Sequence, residues 1–204
     1  MADAALDDAL KFVLRWEGGF VDHPNDPGGR TNKGVTQKVY DSWRQRQGQP
    51  VRDVKAIDDA EVISIYRGDY WVPPRCDLLG SPLSLVQFDT AVNMGVGRAV
   101  RFLQATVGCP ADGDFGPGTE RAVAGCDVGQ SVAAYCQRRE QFYSQLAAKN
   151  PKLGVFLKGW MNRLNALRKE AGLPGFEAAV PLDFGDAGYI ARVPDIGEDP
   201  EYDD

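Results

Sequence analysis

Glu17, Asp26, Asn32 and Thr36 are the residues whose types and spacing suggest chemistry. Leu6, Leu10 and Val13 precede Glu17 at intervals of four, three and four, so one helix face ends in an acid. Gly18-Gly19 then stops the helix. Burial beside a core and the negative end of a helix both disfavour a charged carboxylate. A carboxyl held protonated near neutral pH is what a general acid requires. The plainer reading is a helix-end Glu in water. Asp26 lies nine residues further on, across a loop. Two carboxylates flanking one cleft are the equipment of glycoside hydrolysis: one protonates the leaving oxygen, the other steadies the sugar cation or activates water. Asp26 before Pro-Gly-Gly also fits a simple turn residue. His23, in the same loop, is expected to be an exposed residue without a catalytic role.

The elements that must position these residues are mostly helical. A first helix is expected over residues 4–17, followed by a loop containing Pro24, Pro27 and Gly28-Gly29. Short extended segments at Phe20-Val21 and Gly34-Val35 are expected to pair as a hairpin. Thr36 is suited to cap a helix reaching about Gln47, with Val39, Tyr40 and Trp43 inward. Asp58 with Glu61 forms a capping box for a helix through Tyr66 to about Tyr70. Ser81-Pro82 opens a helix with core residues Leu85, Phe88 and Val92, expected to be the most buried and to stop at Asn93-Met94-Gly95. Further helices are expected over residues 97–107, 118–125, 129–148 and 153–171. Phe156, Trp160, Leu164 and Leu167 make the apolar set of the last. Tyr66, Tyr70 and Trp71 are either core or a lining for a cleft.

Composition narrows the function classes. The net charge of −6 and pI near 4.9 exclude general nucleic-acid affinity. Nine of the 29 acids but only one of the 23 bases, Arg192, lie in residues 176–204, so that stretch reads as an acidic tail. One role for it is repulsion from an anionic surface; another is docking a partner. No run of about 18 apolar residues is present, so membrane insertion is not expected. Asp3, Asp7 and Asp8 replace a basic n-region, so cytoplasmic synthesis without a Sec-type signal peptide is expected. Cys76, Cys109, Cys126 and Cys136 form no CxxC pair and accompany a single histidine, so no metal site or cofactor is expected and the thiols read as buried and free, with a Cys126–Cys136 pair as the alternative. The loop from Asp112 begins like a calcium loop but carries Val123 where the pattern requires Glu.

Beyond these features, the spacing Glu17-x8-Asp26-x5-Asn32 followed by Gly34-Val35 resembles the active-site hairpin of phage-type lysozymes. Those carry Thr at the third position, so Asn32 is a departure. The longer stretch through Asp26-Pro-Gly-Gly29 and Thr31-Asn-Lys-Gly34-Val-Thr36 resembles glycoside hydrolase family 108, the muramidases of prophage endolysins, gene transfer agents and toxin-release systems. The likeness continues through Ile65–Trp71, Phe88–Gly95, Arg98–Val100 and Asp112–Thr119, over roughly residues 6–172 and in family order. It implies a mainly α, lysozyme-like helical domain with a small β-hairpin beside the active site. A catalytic region over 1–96, a helical peptidoglycan-binding region over 97–175 and a tail over 176–204 are expected. The resemblance implies cleavage of the β-1,4 bond between N-acetylmuramic acid and N-acetylglucosamine, with Glu17 as general acid. Asp26, Asn32 and Thr36 are the candidates for the water-holding side, Thr36 being equally suited to capping. Tyr66, Tyr70, Trp71 and Asn93 are the candidates for substrate binding. An inverting displacement, with carboxyls about 6.5–9.5 Å apart, is the expected mechanism. A lytic transglycosylase and a wall-binding assembly protein are the alternatives. Bacterial peptidoglycan is the expected partner of a monomer, with a holin or secretion system as the route to the wall.

Overall fold

The computed structural model describes residues 2–22, 29–175 and 192–193. His23 and Asp26 lie outside the described residues. The chain is mainly helical, with one two-stranded antiparallel sheet among the described residues. The order is α1 (Ala2–Leu14), β1 (Thr31–Asn32), β2 (Val35–Thr36), α2 (Gln37–Arg46), α3 (Asp59–Tyr66), α4 (Leu83–Met94), α5 (Val96–Val107), α6 (Pro117–Ala124), α7 (Val128–Lys149) and α8 (Gly154–Glu170).

Helix α4 is the centre of the molecule. Every residue from Val86 to Met94 is buried, and α1, α5 and α7 pack around it. A helix buried on all sides has no need of an amphipathic stripe, and α4 carries polar Gln87, Asp89, Thr90 and Asn93 inside. Each must therefore find a partner. Gln87 accepts from the Tyr135 hydroxyl at 2.8 Å, and the Thr90 hydroxyl donates to the Val86 carbonyl at 2.7 Å. Pro82 stands just outside α4, at its N-cap, and not at the first helical position. One hydrophobic core runs without a break from Leu6 in α1 to Leu167 in α8. Phe156 is the exception to the pattern read from α8: it is 39% exposed, while Trp160, Leu164 and Leu167 are buried.

Around the candidate acid the chain differs from its expected form in two places. Helix α1 stops at Leu14, three residues before Glu17. Arg15 and Trp16 instead donate to the carbonyls of Phe12 and Val13, the three-residue spacing that tightens a last turn. Leu6, Leu10 and Val13 remain buried on one face, and Glu17 continues that face from beyond the helix. The hairpin pairs Thr31 with Thr36 and Asn32 with Val35, and Val21 bridges to Thr31. Phe20-Val21 therefore does not pair with Gly34-Val35. The reason is the two-residue turn Lys33-Gly34, where both residues have positive φ (49° and 74°), the geometry that joins tightly paired strands.

Gly34 is required at that turn twice over. Its φ disfavours a side chain, and a Cβ there would stand 2.3 Å from the Tyr66 hydroxyl oxygen and 2.7 Å from Glu17 Oε2. Thr36 then caps α2, its hydroxyl accepting from the Val39 amide at 3.3 Å. The capping box of α3 forms between Asp58 and Glu61, and Glu61 also ties α3 to α2 through Arg44 at 2.6 Å and the Tyr40 hydroxyl at 2.7 Å. These bonds fix the frame in which the hairpin turn meets Glu17. Replacing Gly34 by Ala is expected to lower unfolding free energy by about 1–3 kcal/mol, from backbone strain and the two collisions. Urea denaturation measures it; a variant as stable as the wild type would contradict the geometry.

Candidate active site

Glu17 is held from the far end of the chain. Its Oε1 accepts from Arg163 Nη1 of α8 at 3.0 Å. Arg163 Nε donates to Asp89 Oδ1 of α4 at 2.8 Å, and Asp89 Oδ2 accepts from Arg139 Nη1 of α7 at 2.8 Å. Arg139 Nη2 donates to the Tyr143 hydroxyl at 2.9 Å, which in turn donates to Asn93 Oδ1 at 2.7 Å. The side chains of Glu17, Arg163, Asp89 and Arg139 have no solvent-accessible surface. Two acids and two bases balance in charge, which is the condition for burying ions at all. Burial by itself would lower Arg163, yet Asp89 and Glu17 hold it above its ordinary range, so its positive charge is secure. Arg139 stands in the same position between burial and the oxygens of Tyr143 and Asp89.

Helical spacing explains why this chain of charges is internal. Arg163 falls three residues after Trp160 and four before Leu167, and Arg139 lies between Cys136 and Phe142, each on the buried stripe of its helix. Asp89 sits inside α4, between Phe88 and Thr90. Arg139 and Arg163 belong to no motif read from the sequence, and Asp89 lies in the Phe88–Gly95 stretch without being singled out there. The signal that identifies them is a charged residue at a core position of an apolar period.

The other carboxylate oxygen, Glu17 Oε2, is buried with no hydrogen-bond partner among the described residues. It faces the Gly34 turn and the Tyr66 phenol. Tyr66 is itself buried, donates to the Lys33 carbonyl at 3.0 Å, and has its hydroxyl pushed up by burial and by the Glu17 carboxylate. Thus one oxygen of Glu17 is anchored and the other is left unpaired. That pattern leaves one oxygen for a partner that the fold itself does not supply. Asn93 shows a related feature at the end of α4: its Oδ1 is taken by Tyr143, while its Nδ2 is buried and unpaired among the described residues. Asn93 and Tyr70 help line a cleft of about 500 Å³, together with Gly97, Arg98, Arg101 and Arg192.

The remaining sequence candidates fall elsewhere. Asn32 is buried, and its Nδ2 donates to the carbonyls of Val54 and Lys55, both at 3.2 Å, fastening the hairpin to the neighbouring turn. The Thr36 hydroxyl is engaged in its cap. Trp71 is 2% exposed and packs edge-on against Phe88, at 5.4 Å between ring centroids. It is a core residue and does not line the cleft. Of the three aromatics considered, Tyr70 alone reaches the cleft, because the chain passes from α3 into a wider π-helical turn over Arg67–Trp71 that turns Trp71 inward. Cys76 and Cys136 are buried and Cys109 and Cys126 partly so; all four are free. Among the described residues no group of His, Cys, Asp and Glu is placed to hold a metal. In the loop at Asp112, Gln104 closes the turn from Nε2 to Asp112 Oδ1 at 2.7 Å and receives the Gly113 amide at 2.8 Å, so the acid serves the loop. No helix of the described residues is long and apolar enough to cross a membrane.

A helical body with a short hairpin folded over a buried glutamate is the architecture of a lysozyme-like glycoside hydrolase. The chain belongs to the glycosyl hydrolase 108 family, whose model matches residues 10–95; a predicted peptidoglycan domain matches residues 98–165. It is similar to Brucella abortus SagA in a solved structure, at 32% identity and a TM-score of 0.70, covering 87% of this chain and 99% of that one. No curated protein matches it. The protein is accordingly a glycoside hydrolase acting on peptidoglycan.

Arg163 donates to both Glu17 and Asp89, so it fixes where the Glu17 carboxyl sits. Lys at 163 keeps the charge but cannot bridge Glu17 and Asp89 with a rigid fork. Arg163→Lys is expected to lower kcat by about 10–100-fold, the cost of a small misplacement of a catalytic group, with KM near the wild-type value. Steady-state kinetics on solubilised peptidoglycan, with circular dichroism to verify folding, measure this. A folded variant with unchanged kcat would contradict it.

Proposed function

We propose that this protein is an N-acetylmuramidase, hydrolysing the β-1,4 bond between N-acetylmuramic acid and N-acetylglucosamine with Glu17 as the general acid. The observation that carries the reading is the state of Glu17: a fully enclosed carboxyl, fixed through one oxygen by Arg163 and unpaired at the other. A buried polar atom ordinarily has a partner, so the unpaired oxygen fits a group that meets its partner in the substrate. In the proposed reaction Oε2 gives its proton to the glycosidic oxygen as the bond to the sugar carbon breaks. The positive charge that develops on the ring is steadied by the second carboxylate, for which Asp26 is the candidate on spacing. The unpaired Asn93 amide supplies a donor for a carbonyl of the substrate, the N-acetyl group being the one expected there. Tyr70 offers an aromatic face on the same cleft. Residues 1–96 are proposed to carry the chemistry, and 97–175 to bind the wall while supplying Arg139 and Arg163 to the site.

A second reading follows from Asn32 and Thr36. Asn32 Nδ2 is committed to the Val54 and Lys55 carbonyls and the Thr36 oxygen accepts from Val39, which reduces the groups left to hold an attacking water to Asn32 Oδ1 and the Thr36 O–H. A lytic transglycosylase uses the acid without water and closes the sugar on itself as a 1,6-anhydro product, one water lighter than the hydrolytic one. Mass spectrometry of the digest separates the two.

Glu17→Gln retains the shape of the side chain and removes its proton. It is expected to reduce lysis of purified cell walls by at least about 100-fold in a turbidity assay, with the helical fold retained by circular dichroism and a lower melting temperature from the charge lost opposite Arg163. Wild-type rates in that variant would refute the assignment of the acid.

A further inference from the structure

The acidic stretch from 176 to 204 has a single base, and that base lies in the cleft. Arg192 donates from Nη1 to the Tyr70 hydroxyl at 2.6 Å and from Nη2 to the Gly34 carbonyl at 3.0 Å. Its guanidinium lies over the Tyr70 ring, 5.2 Å from the centroid. The next residue, Val193, is 6% exposed and donates its amide to the carbonyl of Asn93 at 2.9 Å. Two adjacent residues of the cleft wall therefore link the hairpin turn to the end of α4. Each contact is made to a residue of the candidate site itself.

The consequence falls on Glu17. Gly34, whose carbonyl Arg192 takes, is the residue whose α-carbon backs onto Glu17 Oε2. The Glu17 side chain has no accessible surface in this arrangement. A general acid must come within about 2.6–3.2 Å of the oxygen that it protonates, and a fully enclosed carboxyl is not within reach of a sugar chain. Burial opposes the charge on Arg192, but Tyr70 and Glu17 hold it above its ordinary range, so the guanidinium stays charged where it lies. Both residues are beyond the stretches matched by the two domain models, which end at 95 and 165, so this contact is an addition to the matched domains.

We propose that Arg192 and Val193 form an autoinhibitory strap, a piece of the chain's own C-terminal region that occupies the glycan cleft at rest and is displaced when a glycan strand enters. The proposal rests on the reading of this cleft as the glycan site. A tethered segment competes at an effective concentration set by its linker. The substrate's apparent affinity is then reduced by the fraction of molecules in which the cleft is open. Chemistry after displacement is unaffected, so the strap acts on KM and leaves kcat alone.

The test compares the full-length wild type with Arg192→Gln on solubilised peptidoglycan. A KM lowered by about three- to tenfold, an equal kcat and an unchanged melting profile are expected. An unchanged KM would overturn the strap, and a lower kcat would show instead that Arg192 serves the chemistry. A second measurement uses Glu17→Gln and a tetrasaccharide of alternating N-acetylglucosamine and N-acetylmuramic acid, following hydrogen exchange at the Val193 amide. Faster exchange with the tetrasaccharide bound supports displacement, and equal or slower exchange refutes it. If neither protein cleaves peptidoglycan, the function assigned to the cleft fails, and the exchange result alone decides on the strap.

Discussion

The arrangement depends on one buried run of alternating charge: Glu17, Arg163, Asp89, Arg139. Removing ions from water costs several kcal/mol each, and only close geometry and charge balance offset it. Here each link is 2.8–3.0 Å long, and acid alternates with base. The run joins the segment after α1 to α4, α7 and α8, so the position of the candidate acid is set by helices far along the chain, two of them more than a hundred residues beyond it. The continuous core states the same dependence in apolar terms. The helices of the peptidoglycan domain are thereby also structural partners of the hydrolase site.

Much of the frame was legible in the sequence because its rules are local. Apolar periods located the helices, and the Thr36 cap and the Asp58–Glu61 box lie where their spacing placed them. The hairpin was legible as an element but not in its pairing, since register depends on Lys33 and Gly34 both adopting positive φ, and Lys33 gives no sign of that. The end of α1 was misplaced because two tightened turns continue the apolar face past the helix. Of the two environments open to Trp71 the structure shows the core, in a π-helical turn, whereas Phe156, expected inside, sits exposed at the first turn of α8.

The candidate site was half legible. Glu17 and Tyr70 could be singled out from motif and spacing, whereas Arg163, Asp89 and Arg139 could not. A reading that counts only apolar residues along a period passes over the charges between them, and here those charges hold the acid. Arg192 was visible as the lone base of an acidic stretch, but sequence attaches no location to such a residue. Its contacts with Tyr70 and Gly34 exist only because the fold brings residues 34, 70 and 192 together.

These features combine into one proposed account: an acid fixed through one oxygen and unpaired at the other, with Asn93 and Tyr70 on the wall of a nearby cleft. Its central claim concerns the bond that is cut. The most direct measurement is to digest purified cell wall with the full-length protein, reduce the new chain ends with borohydride and identify the sugar that bears them. The account predicts that the reduced sugar is derived from N-acetylmuramic acid. Reduced ends derived from N-acetylglucosamine would contradict it.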